Sequence, residues 1–129
     1  MKASIFSTLM LVSTLSFAQS TAQVNYESGE LKSSYVQKHG LVEVTHFYQN
    51  GAVKEIGFFK NGIPEGKWLG FAENGQKTAE LNYKNGKRHG EYRSWDLYAN
   101  TYTEMNYADG KAMAANKWIK SGDFATIEK

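Results

Sequence analysis

The dipeptide Asn-Gly occurs four times in the chain, as Asn50-Gly51, Asn61-Gly62, Asn74-Gly75 and Asn85-Gly86, at intervals of 11, 13 and 11 residues. Both central residues of a two-residue type I′ turn need positive φ, and Asn followed by Gly tolerates this best, so each pair predicts a tight β-hairpin turn. The intervals leave room for strands of about 5 to 8 residues between turns. Ala79, Leu81 and Tyr83 alternate with Thr78, Glu80 and Asn82, as a strand with two unlike faces requires. The expectation is an all-β, repeat-built antiparallel hairpin meander, forming an elongated twisted sheet.

Written in rows of 24 residues, the chain repeats itself. Phe47-Tyr48-Gln49-Asn50-Gly51 stands above Phe71-Ala72-Glu73-Asn74-Gly75, and Phe59 to Trp68 stands above Tyr83 to Tyr92. Tyr107 and Gly110 continue the register, while Tyr26-Glu27-Ser28-Gly29 matches Tyr48 to Gly51 at an offset of 22. Two central repeats are clear and the flanking ones degraded, the pattern expected when terminal repeats act as caps. The structural positions of the repeat are Gly51, Gly62, Gly66, Trp68, Gly75, Gly86, Gly90, Tyr92 and Gly110. Gly66 and Gly90 precede Trp68 and Tyr92 by two residues, so each marks a bulge or a place where a ring lies against bare backbone. Stacking should bring Trp68 near Tyr92 and form a second column from Phe59, Tyr83 and Tyr107. In row three, Tyr98-Ala99-Asn100-Thr101 puts Ala99 where a turn Gly is due, so that turn must use other chemistry.

These residues carry a resemblance. Tyr/Phe-x-x-Gly followed by x-x-x-Gly-x-Trp/Tyr, with Asn-Gly before the next strand, resembles the MORN repeat, and more narrowly a bacterial variant of small exported proteins, some of them antitoxin-like. The likeness covers residues 47–111 well and 24–46 weakly. It implies an elongated antiparallel sheet and a role in protein contacts, membrane association or scaffolding.

Residues 1–18 have a different character: Lys2 supplies a charge, Ile5 to Phe17 is apolar apart from Ser and Thr, and Ser16-Phe17-Ala18 suits cleavage. The run is shorter than the ~20 residues of a bilayer span. It reads as a secretory signal peptide, with a second small-residue site allowing a cut as late as residue 22, so the expected location is periplasmic or secreted and no transmembrane segment is expected. Residues 19–46 then form a degenerate N-terminal repeat or cap, and 47–120 the repeats with a closing strand or short helix. Residues 121–129 complete the chain as a loose tail. The chain has no cysteine, which excludes disulfides and a lipid anchor on Cys, so packing alone must hold the exported domain together.

Catalytic signatures are missing. Gly62 to Trp68 has one residue too few for a phosphate loop and ends in Trp where Ser or Thr is needed. There is no Gly-x-Ser-x-Gly elbow and no His-Glu-x-x-His pair. His39 and His46, seven apart, would fall on opposite faces of a regular strand, and His89 lies far along the chain, so no metal site is expected. Neither an enzyme nor a cofactor is expected. A net charge of +2, falling to +1 without Lys2, argues against a nucleic-acid partner.

Two candidate surfaces remain. Phe71, Trp95 and Tyr98 are aromatic anchors for an unknown protein partner. Lys84, Lys87 and Arg88 form a basic ridge suited to anionic lipid or wall polymer on an envelope surface. Open sheet edges add self-association as a further expectation.

Overall fold

The computed structural model describes residues 20–119, so the signal-peptide and tail expectations lie outside the described residues. Among the described residues ten antiparallel strands form one sheet in which each strand pairs with its neighbour in sequence, except that β7 and β8 both pair with β6. They are β1 (Thr21–Asn25), β2 (Leu31–Lys38), β3 (Leu41–Phe47), β4 (Val53–Lys60), β5 (Ile63–Phe71), β6 (Lys77–Lys84), β7 (Lys87–Arg88), β8 (Gly90–Asp96), β9 (Thr101–Ala108) and β10 (Lys111–Ile119). β7 and β8 both lie along β6, one strand interrupted near His89. The closing element is a strand, β10, and among the described residues there is no helix, hence none long and apolar enough to cross a membrane.

The two rims of the sheet use different turns. On one, His39-Gly40, Asn61-Gly62, Asn85-Gly86 and Asp109-Gly110 all have positive φ at both residues, the backbone of type I′ turns. On the other, Asn50-Gly51 and Asn74-Gly75 depart from the expectation. Only their glycines have positive φ, and each ends a three-residue loop in which Gly51 and Gly75 donate to the carbonyls of Tyr48 and Ala72. The Asn50 and Asn74 carboxamides instead accept from the Ala52 and Gln76 N–H groups, at 2.9 and 3.0 Å. Glu27-Ser28-Gly29 repeats the arrangement, with Gly29 donating to Tyr26. The fourth loop, residues 97–100, has the other chemistry its sequence demands: Asp96 Oδ1 accepts from the N–H groups of Tyr98 (3.0 Å) and Ala99 (2.9 Å), and Asn100 takes the left-handed conformation at φ 51°.

The two repeat lengths have a physical cause. β2 and β3 pair without interruption from Ser33–His46 to Lys38–Leu41, and the turns flanking them are 22 residues apart. Between β4 and β5, Gly57 alone stands opposite Gly66, Lys67 and Trp68, a bulge that adds two residues and gives 24. Gly66, at φ 69°, makes this bulge, and Gly90, at φ 79°, makes its counterpart between β7 and β8. The ring against bare backbone is elsewhere: the Trp68 indole lies on Gly57, where a Cβ would come within 2.1 Å of it. Two residues before each bulge glycine the chain interlocks with the next turn, Gly86 N–H donating to Pro64 O (3.2 Å) and Gly110 N–H to Arg88 O (2.8 Å).

One face carries the rings. Trp68 packs edge-on against Phe59 (5.2 Å) and Tyr83 (5.9 Å), and Tyr92 against Tyr107 (6.2 Å). Trp68 therefore pairs with rings on adjacent strands and not with Tyr92; β6 stands between them, and each strand step is about 4.8 Å. Among the described hydrophobic residues, only Val44 (0% exposed) and Trp68 (6%) are buried, and the polar Ser33 (4%) is buried as well. The sheet is a single layer whose stability comes from contacts between neighbouring strands, as in other repeat arrays.

Candidate functional site

The sequence-predicted residues separate onto opposite rims. Lys84 and Lys87 pair across the Asn85-Gly86 turn and are exposed, with Lys60 in the equivalent place one repeat earlier. Arg88 is not a free cation on this ridge. Its guanidinium lies over the rings of Tyr92 (5.8 Å) and Tyr107 (5.5 Å) and donates to Tyr107 Oη at 3.4 Å. Hydrogen bonds to Tyr107 and then Tyr83 hold its pKa above the ordinary arginine value.

Phe71, Trp95 and Tyr98 belong to the loop rim. Phe71 ends β5 half-buried, its carbonyl accepting the Tyr48 hydroxyl at 2.7 Å. Trp95 near the end of β8 is half-buried, with Lys77 Nζ 5.0 Å from its ring centroid. Lys77 also pairs with Glu80, whose carboxyl is held below its ordinary pKa chiefly by that hydrogen bond. Tyr98, on the 97–100 loop, is fully exposed.

An open cleft of about 910 Å³ joins two of the three. Its lining includes Tyr48, Ala72, Trp95 and Tyr98, together with the acidic Glu73 and Asp96. Phe71 does not line it; its neighbour Ala72 does. The cleft has a cause in the repeat. Tyr26 donates to Phe47 O at 2.7 Å and Tyr48 to Phe71 O at 2.7 Å, so each phenol clamps its loop to the end of a strand in the following hairpin. The next residue in this column is Ala72, and the clamp that would reach Trp95 is missing. The signal was present in the 24-residue rows, where Tyr48 stands directly above Ala72, but it consists of a side chain that is not there.

The ring-bearing face holds a polar set that spacing did not reveal. Ser33, His46 and Glu55 lie in one cross-strand row of β2, β3 and β4, with Ser33 Oγ 2.8 Å from His46 Nδ1. The Ser33 hydroxyl is buried, so the pair satisfies polar groups inside the sheet and does not present a nucleophile to substrate. His39 sits in a turn and His89 donates its backbone N–H to Asn82 O, so the three imidazoles do not converge. Among the described residues no group of three metal-ligating side chains is found.

The family model of the MORN repeat variant matches residues 41–61 and 64–85. Each match covers two strands with the three-residue loop between them and ends in a type I′ turn. No curated protein and no solved structure matches the chain.

Proposed function

We propose that this chain, two of whose hairpin units match the MORN repeat variant, is a non-catalytic interaction module that docks a partner protein on its loop rim, around Trp95 and Tyr98. The observation that carries the reading is the cleft beside a fully exposed tyrosine, where the other described aromatic rings are buried or half-buried. Tyr and Trp are the residues that most often dominate protein interfaces, and a concave site with an aromatic wall is where they act best. The apolar run from Ile5 to Phe17 supports a place outside the cytoplasm. An antitoxin-like role fits this reading where the toxin shares that compartment.

A second reading has its own observation. Lys60, Lys84 and Lys87 are exposed along the turn rim, which suits an anionic envelope surface. Crosslinked recovery from the native envelope at low and high salt separates the two. The protein-docking reading expects one protein recovered at both salt levels and lost with Trp95→Ala. Recovery of lipid or wall material only at low salt, abolished by Lys84→Glu with Lys87→Glu, would replace it with the second.

A further inference from the structure

The cleft at Ala72 is bounded by the machinery that elsewhere receives a tyrosine. At two successive repeats a phenol ring spans the loop rim, its hydroxyl donating to the carbonyl of the strand-end residue, Phe47 or Phe71. A lysine lies over each of those rings, Lys32 over Tyr26 at 5.5 Å and Lys54 over Tyr48 at 5.6 Å. At the third repeat Trp95, one residue before the end of β8, holds the place of Phe47 and Phe71, the 72–76 loop keeps its form, Thr78 stands where Lys32 and Lys54 do, and Ala72 leaves the ring's place open to solvent.

We propose that this vacancy is a receptor site for a tyrosine side chain carried on an extended, basic segment of the partner protein. The ring enters over Ala72 and its hydroxyl donates to the Trp95 main-chain carbonyl, reproducing between two molecules the clamp that the repeat makes within one. The flanking charges follow from the lining, which includes Glu73 and Asp96 and no basic residue; Lys77 lies over the Trp95 ring, and Asp96 keeps its negative charge while accepting from the Tyr98 and Ala99 N–H groups. Basic residues on either side of the incoming tyrosine therefore meet opposite charge. Those carboxylates also disfavour a second copy of this chain as the occupant, although Tyr98 is exposed nearby. A two-fold contact through this patch would bring Glu73 and Asp96 towards their own equivalents.

The inference rests on the protein-docking reading, and its test separates the two. Full-length protein is titrated with a blocked Arg-Tyr-Arg peptide and with its Arg-Phe-Arg analogue, following the backbone and methyl NMR signals of Ala72 and the indole signal of Trp95. The tyrosine peptide shifts these signals saturably, and the phenylalanine peptide binds about five-fold more weakly for want of one hydrogen bond. Ala72→Tyr fills the place from within, so it abolishes peptide binding while raising the melting temperature through a new clamp. The rising melting temperature guards against misfolding as the cause of the loss. Equal binding of both peptides, no shift at Ala72 and Trp95, or binding that survives Ala72→Tyr overturns the proposal. So does a concentration-dependent dimer that Ala72→Tyr dissolves, which makes the second copy the occupant. In the envelope recovery experiment, a partner lost with Trp95→Ala but kept with Ala72→Tyr leaves the docking reading standing and removes the tyrosine site. A partner kept with both removes the docking reading itself.

Discussion

At the scale of single residues, the backbone was readable where a side chain had to tolerate an unusual dihedral. Asn61-Gly62 and Asn85-Gly86 form the tight turns their sequence demands, because both residues need positive φ. The same dipeptide at 50–51 and 74–75 behaves otherwise, since the Asn side chain can cap the following N–H while only the glycine turns left-handed. Two residues do not separate these outcomes; the length of the loop does. Gly57 was not readable at all, because the reason for it is the Trp68 indole on the adjacent strand. Gly57→Ala places a methyl group inside that ring and should cost about 2–3 kcal/mol in urea unfolding. A variant as stable as the parent would mean that the indole does not lie there. Glu80 supplies a pH test. Its folded pKa is lowered, so its contribution is present at neutral pH and is lost as pH falls through the ordinary carboxyl value of 4.5 and below. Glu80→Gln should remove part of the acid destabilisation seen by thermal melts in that range; an unchanged pH profile would dissociate it from Lys77.

At the scale of elements, the hairpins and their order follow from the 24-residue rows, since a two-fold alternation between regular turns admits little else. What the rows did not give was the internal account of 24 as a 22-residue hairpin pair plus a two-residue bulge at Gly66 or Gly90. Nor did they show how hairpins are joined. Tyr26 and Tyr48 do this through hydrogen bonds to Phe47 and Phe71, contacts 21 and 23 residues apart that no local pattern announces. Tyr48→Phe deletes one such bond without changing the ring, and should lower stability by about 1 kcal/mol, measured by denaturant midpoint. The fourth loop makes a parallel case. Asp96→Ala leaves the Tyr98 and Ala99 N–H groups without their acceptor, and hydrogen exchange at residues 97–100 should quicken while β4 and β5 stay protected. Faster exchange throughout the sheet would mean that the loop is not an independent unit.

At the scale of the whole molecule, the sheet has one layer, and its buried hydrophobic residues among those described are Val44 and Trp68. Stability must therefore be nearly additive over neighbouring hairpins. The candidate aromatic residues were legible as side chains, Trp95 in the 24-residue column of Phe47 and Phe71 and Tyr98 in the loop that follows. The cleft that joins them was not, since it is built from the absence of a tyrosine at Ala72. The surroundings of Arg88 were hidden for the converse reason: its charge is visible in sequence, whereas the Tyr92 and Tyr107 rings it lies over belong to the following strands. The two rims now offer separable surfaces, loops with aromatic and acidic groups on one side and tight turns with exposed lysines on the other. The most direct measurement is hydrogen exchange of the protein with and without the crosslinked, then purified, partner. Protection confined to residues 72–78 and 94–101 is the predicted result. Protection centred on residues 84–88, with the loop rim unchanged, would contradict the account and move function to the lysine-bearing rim.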